Sequence, residues 1–344
     1  MRLPKLRGRF GRVPAAALAL LVVLPLAGYA LWWWQAARTV EQGVRAWIEE
    51  QRANGALAEH GGLTVDGFPF TLRAAVEQPH LATRGAEWRG ARLIAEAAPW
   101  NVTQVALTFP GEHRLTLVQA GQPPLDVTAR GGGSGQARWT LAGRLEQLTL
   151  RFTDLMAQMA EWPMPIASLD VSAAQPPEPA EHTGTGLSVG LTANGMTLPE
   201  NAPPALGRDL RRAELSARVL GRPPRPEPAS LSAWSRDGGT VQLDRLAMDW
   251  GPLAVAMAGT LALDGELQPQ AALTAEIHGA PAALNAIKPM MRPNEAALAR
   301  TVVAMLSRPT GPNGEPVITA PVTVQDRTLF LGPLKVASLP RVVW

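Results

Sequence analysis

The 344-residue sequence contains no cysteine. That excludes a disulfide framework and any thiolate nucleophile or thiolate metal site. Lysine is nearly absent too, occurring only as Lys5, Lys288 and Lys335. The remaining basic side chains are arginines spread along the chain, and the net charge is only +3. Such a distribution suits a solvated surface and not a nucleic-acid face, so no nucleic-acid partner is expected. Aromatic residues are few, and tryptophan supplies 11 of them against 6 Phe and 1 Tyr.

Catalytic patterns are equally scarce. His60, His80, His113, His182 and His278 are scattered, with no H-E-x-x-H spacing. The stretch "GGGSG" (131–135) lacks the Gly-Lys-Ser/Thr ending of a phosphate loop. "GLSVG" (186–190) fits the nucleophile-elbow pattern around Ser188, but that motif needs a buried strand before the serine and a helix after it. Here proline-rich sequence precedes it, and Leu187, Val189 and Leu191 alternate as in a plain strand. No catalytic residue, cofactor or metal site is assigned, and the chain is expected not to be an enzyme.

What is present begins at the N-terminus. Arg2, Lys5, Arg7, Arg9 and Arg12 form a basic segment (1–12), and Val13 to Trp34 follow without a charge. About 20 apolar residues cross the ~30 Å hydrocarbon layer, so 13–34 is expected to be a transmembrane helix. Pro14 falls in its first turn, and the interior Pro25 is tolerable in a spanning helix. Trp32, Trp33 and Trp34 close the run as a membrane-interface anchor. The basic segment should stay in the cytoplasm, placing the rest in the periplasm of a single-pass inner-membrane protein. The alternative, a cleaved signal peptide, is opposed by the length of the run and by tryptophans where small residues should allow cleavage.

Residues 35–60 carry Val40, Val44, Trp47 and Ile48 at i, i+4, i+7 and i+8, the stripe of an amphipathic helix ended at Asn54-Gly55. Its expected partner is the following domain, with the membrane surface as the alternative. From Gly61 the period changes to 2, in runs such as "RLTLVQA", "GLSVGLT", "LAVAMAGTLAL" and "VTVQDRTLFL". Turn residues separate many of them: Gly131-Gly132-Gly133, Asn194-Gly195, Asp237-Gly238-Gly239 and Asp264-Gly265. Residues 61–344 therefore read as a mainly-β body, a long curved antiparallel sheet or sandwich with one buried and one polar face. "DLMAQMAEW" (154–162) reads as a short helix, and 281–309 as one or two amphipathic helices with Leu298, Val302 and Met305 on one face. Proline-rich loops are expected at 173–184 and 221–229. "WGPLAV" (250–255) and "LGPLKV" (331–336) echo each other as a repeated hairpin unit.

The amphipathic "ARTVEQGVRAWIEEQRANG", then "VDGFPFTL", "ARLIAEAAPWNVTQVALTFPGEHRL" and the closing "LFLGPLKVASLP" resemble a bacterial family known as domain of unknown function 2125. The resemblance covers most of the chain, departing at about 173–230. It implies no activity that can be carried over. The strand-rich, singly anchored layout is similar to that of AsmA-like envelope proteins, which implies a role in lipid movement and outer-membrane homeostasis. In "VDGFPF", Gly67 and Pro69 are read as shaping a strand at a sheet edge, aiming Phe68, Phe70, Leu72 and Val76 one way. That face is either a packed core or the mouth of an apolar groove holding acyl chains. The expected role is a non-enzymatic one in envelope homeostasis or lipid handling, with membrane lipids as partners. The alternative is an interaction scaffold for other envelope proteins, and a hydrolase is the most remote.

Overall fold

The structure is a computed structural model. It describes residues 15–119, 122–140, 142–176, 181, 183–200, 206–225, 227–292, 296, 300–301, 303–304, 307–309, 316–332, 334–342 and 344. Side chains are described from Val23 onward, Arg308, Pro309 and Leu334 apart. The basic segment 1–12, the first part of the expected span 13–34, and Leu298, Val302 and Met305 lie outside the described residues.

The described residues open with one continuous helix, α1 (Ala15–Ala53), joining the described part of the expected span to the expected amphipathic helix. It ends at Asn54-Gly55, where Gly55 takes φ +84 and the Asn54 N–H bonds the Glu50 carbonyl. Among the described residues no helix is long and apolar enough to cross a membrane. Of the amphipathic stripe, Ile48 is buried, Val40 and Val44 are half-buried and Trp47 is exposed.

All strands then join one antiparallel sheet. The first ten are the arms of five long, bent strands: β1 (Leu57–Glu59) with β2 (Gly62–Asp66), β3 (Leu72–Glu77) with β4 (His80–Ala82), β5 (Ala86–Gly90) with β6 (Arg92–Ala98), β7 (Asn101–Phe109) with β8 (His113–Leu117), and β9 (Leu125–Ala129) with β10 (Gly133–Trp139). One set of arms pairs as β2–β3–β6–β7–β10 and the other as β1–β4–β5–β8–β9. Both sets meet the same side of β11 (Leu145–Met159). Beyond it the meander continues through β12 (Trp162–Ala174), β13 (Thr185–Thr197), β14 (Asp209–Leu220), β15 (Val241–Trp250), β16 (Leu253–Leu263), β17 (Pro269–His278), β19 (Pro316–Gln325), β20 (Thr328–Leu331) and β21 (Leu334–Ser338). The short β18 (Ser307–Pro309) pairs with the start of β19. Two short helices, α2 (Pro228–Arg236) and α3 (Ala280–Ile287), lie in its connections. Of the two expected architectures, the single sheet is the one formed.

A line of left-handed residues crosses this sheet where its strands bend: Gln78 (φ +48), Gly111 (+82), Gly132 (+70), Asp154 (+51) and Gly195 (+61). A left-handed residue breaks the strand's alternation, so that apolar side chains before and after it share one face; at Asp154 and Gly195 one pair drops out of the ladder and the register is kept. The bend closes toward the apolar side. Phe152 and Leu169, before the crease, pack with Leu155, Ala157 and Ile166 beyond it.

Three expectations are corrected here. Gly131-Gly132-Gly133 and Asn194-Gly195 are not turns between strands but parts of the crease, since φ above zero serves a bend as well as a turn. "DLMAQMAEW" is not a helix. It is the end of β11, a tight turn at Ala160-Glu161 and the start of β12, because Leu155, Ala157 and Met159 alternate onto one face and pair with β9. The proline-rich segment 221–229 runs into α2, which begins at Pro228. The repeated "GP" echo is a hairpin turn at both places, with Gly251 (φ +54) between paired Trp250 and Leu253 and Gly332 (φ +56) between paired Leu331 and Leu334.

Candidate functional site

Because side chains alternate along a strand, the cross-strand pairing assigns each residue to a face. One row of directly paired residues runs Val65, Ala74, Ala95, Leu107, Gly135, Leu150, Val171, Leu191, Leu215, Leu246, Met257, Ala275, Ala320. Every member is apolar or glycine. At about 4.8 Å per strand, the row is on the order of 60 Å long. The neighbouring row on the opposite face runs Asp66, Arg73, Glu96, Ala106, Gln136, Thr149, Ser172, Gly190, Ser216, Arg245. The sheet therefore has one apolar and one polar face over nearly its whole width.

The polar face explains the scattered arginines. They form cross-strand ion pairs: Arg73 with Glu96, Arg92 with Glu77 (2.8 Å), Arg151 with Asp170 (2.6 Å) and Arg218 with Asp244 (2.6 Å). The hydrogen bond from Arg218 holds the Asp244 carboxyl below the usual carboxylate range. A shallow concavity of about 790 Å³ on this face is lined by Thr108, Ser134, Arg151, Asp170, Thr192 and Glu214. Its charged groups are occupied by one another or by neighbouring arginines, as Glu214 is by Arg212 and Arg245. Ser188 stands within β13 on this side, between paired Ala174 and Arg218.

Among the described residues, α1 and α3 cover the apolar face at its two ends. At the first, Trp33 and Ala37 of α1 pack on Leu72, with Val65 beside them. At the last, Ala280 of α3 and Val303 pack with Ile277, Ile318, Ala320 and Leu331. Burial follows this cover. Ala275 and Ala320 are each 2% exposed, whereas Leu191 is 40% and Leu246 37% exposed. No large side chain in the described body is completely buried, as expected of one layer with no second layer over its centre. The middle of the row is an uncovered apolar strip, beside the buried crease cluster around Leu155 and Ile166.

His113 sits at the crease on the same face. Its ring stacks on Trp88 (centroids 6.0 Å apart) and meets the Phe109 ring edge-on (5.5 Å). Burial pushes its pKa down, offset in part by the nearby backbone of Pro110, Arg92 and Phe109. Neither ring nitrogen makes a well-formed hydrogen bond within the protein. Gly90 faces it because a Cβ there would fall 2.3 Å from Nδ1.

The "VDGFPF" motif occupies a different position from the strand edge expected. Gly67 (φ +103) to Thr71 form the loop joining β2 to β3, closed by a hydrogen bond from the Thr71 N–H to the Gly67 carbonyl (3.0 Å). The loop clasps α1. Tyr29 Oη donates to the Pro69 carbonyl, and Trp33 Nε1 donates to the Thr71 carbonyl at 3.1 Å. Phe68 leans on Trp33, ring centroids 5.5 Å apart, and on Tyr29 at 6.3 Å. Leu72 is buried and Val76 half-buried in β3, but Phe70 is 72% exposed. The four residues do not share a core face: the loop turns Phe68 and Phe70 out of the alternation that Leu72 resumes. Trp32 and Trp34 are exposed, and Arg38 lies 3.5 Å over the Trp34 ring. Sequence reading missed Tyr29 as the clasp partner; being the single tyrosine, just before the tryptophans, was its only signal.

No curated protein and no solved structure gives a significant match to the chain. The family model described as "Uncharacterized protein conserved in bacteria (DUF2125)" matches residues 33–340. That range takes in the Trp33 half of the clasp but not Tyr29, together with the crease and the whole two-faced sheet, and the chain belongs to this family.

Proposed function

We propose that the protein is a single-pass inner-membrane protein whose periplasmic β-rich body holds lipid acyl chains along the uncovered middle of its apolar face. The observation that carries this reading is the unbroken apolar row with Leu191 and Leu246 left open at its centre. Contiguous exposed apolar surface of this extent is unusual on a soluble monomer and marks a binding surface. Its lining offers no side-chain hydrogen-bond donor or acceptor along the row, so it selects for hydrocarbon and leaves a polar headgroup in solvent. The charge-free run from Val13 to Trp34 would anchor the body beside the source of such chains. The reading assigns the chain no reaction, and its consequence is lipid handling in envelope homeostasis.

The test is mass spectrometry of lipids retained by the purified full-length protein. Wild type should carry more lipid than Leu191→Asp/Leu246→Asp, since both keep the same anchor. Equal lipid content in the two proteins would refute this strip as the binding surface.

A second reading, docking of another envelope protein by strand addition, is favoured by the far edge of the sheet. Among the described residues β21 pairs on one side only, through β20, and Val336 is exposed there. A charged proline-containing replacement of that edge would then abolish partner capture while leaving bound lipid unchanged.

A further inference from the structure

The first two hairpin tips at one end of the sheet carry an aromatic patch that the apolar strip does not use. One tip is the loop Gly67-Phe68-Pro69-Phe70-Thr71. The other is the Pro99-Trp100 turn between β6 and β7. They adjoin, because Leu72 pairs with Ala97 and Ala98 with Asn101, and neighbouring strands lie about 5 Å apart. Phe70 and Trp100 are each 72% exposed, and Phe68 is 54% exposed. Neither tip contains a charged residue. At the other end of the sheet Val118 and Trp162 are also exposed, but Val118 lies against the turn that contains Arg84 and Trp162 follows Glu161. Hairpin tips in water normally carry Gly, Asn, Asp and Ser. Three exposed aromatic rings on two adjoining tips need another environment.

The clasp fixes what that environment is. Tyr29 and Trp33 hold the 67–71 loop, and both lie within the last ~8 Å of the charge-free run ending at Trp34, at 1.5 Å per helical residue. The polar interface of a bilayer is several ångströms deep on each side. A loop attached at that height lies in the interface whenever the run spans. The side chains present suit it: Phe and Trp at the acyl boundary, Arg38 behind Trp34, and Arg138 lining the same concavity of about 400 Å³ as Phe70, placed for anionic headgroups. Adjacent strands twist by roughly 20–25°, so only the first hairpins point along α1 and the contact stays local.

We infer that Phe68, Phe70 and Trp100 insert into the headgroup–acyl boundary of the membrane that anchors α1, seating the first end of the sheet on the bilayer. This rests on the anchor reading and adds to it a second, peripheral contact made by the β body. The contact sets the end of the apolar face that α1 covers, at Leu72, against the bilayer.

The native chain has no cysteine, so single labels are unambiguous. Full-length variants Phe70→Cys, Trp100→Cys, Arg84→Cys, Glu161→Cys and Leu24→Cys would carry an environment-sensitive fluorophore. They would be reconstituted into phosphatidylethanolamine/phosphatidylglycerol vesicles with or without nitroxide-labelled lipid. Labels at 70 and 100 should shift to shorter wavelength and lose emission to the nitroxide, while labels at 84 and 161 should do neither. Water-like emission at both 70 and 100 would overturn the inference, and quenching at 24 in that experiment would show that the anchor reading survives it. Quenching at 70 and 100 without quenching at 24 would support the docking patch and overturn the span.

Discussion

Ala320 and Leu191 belong to the same row of the same sheet, yet the first is sealed and the second open. Both lie on strands hydrogen-bonded on two sides, and both face the apolar side. What differs is the helix above them: α3 packs over Ala320, and no described helix packs over Leu191. Away from the crease, where strands bury Leu155 and Ile166 against one another, burial on this sheet follows what its connections supply and not the strand pattern alone. An alternating strand only guarantees that one face seeks cover. The ends of this sheet receive it from α1 and α3; the exposed Leu191 and Leu246 receive none from the described residues, and in our reading acyl chains take that place.

The comparison breaks most sharply on charge. Ala320→Asp places an unpaired carboxylate under α3, costing several kcal/mol, a large part of the ~5–15 kcal/mol stability of a domain. Leu191→Asp leaves the carboxylate in water and should cost about 1 kcal/mol or less. Urea unfolding of the two variants in detergent checks this, and equal losses would mean that the middle is covered after all. Next in size is the crease. Gly132→Ala adds a Cβ that would lie 2.5 Å from the Phe109 carbonyl oxygen at φ +70, for an expected loss of about 2–3 kcal/mol. Gly55→Ala, at φ +84 but with open space around it, should lose about 1 kcal/mol.

A smaller effect follows from His113. Its folded-state pKa lies below the ordinary value of about 6.5, so protonation favours the unfolded chain. The stability tied to its neutral ring is fully present above the ordinary pKa and is lost as pH falls through the folded-state value. Wild type should therefore lose more stability than His113→Leu between about pH 7.5 and about pH 5.5, as read by urea midpoints. Smallest of all, Ser188→Ala should change stability by no more than about 0.5 kcal/mol, and serine-directed phosphonates should label neither protein.

Much of the architecture was legible because alternation is a local signal: "GLSVGLT" and "LAVAMAGTLAL" became β13 and β16. The crease was not legible. A glycine that bends a strand and one that turns a hairpin both need only φ above zero, and Asn194-Gly195 looks the same for either use. Asp154 and Gln78 gave less, since their left-handed conformation depends on strands far away in sequence. The apolar face itself was only half visible. Each strand announces its apolar side, but whether those sides line up depends on register, and whether anything covers them depends on tertiary packing. For "VDGFPF" the motif was visible and its partner was not: the residues that hold it, Tyr29 and Trp33, precede it by roughly ten helical turns of sequence.

Leu191 and Thr192 are neighbours on opposite faces of β13, one in the apolar row and one paired with Asp170 and Glu214 on the polar side. A photo-crosslinking amino acid placed at each position in turn, in the full-length protein in living cells, separates the two faces within one residue. The account predicts lipid adducts from position 191 and none from position 192, by mass spectrometry of the purified protein. Protein adducts without lipid at 191, or equal lipid capture at both positions, would contradict it.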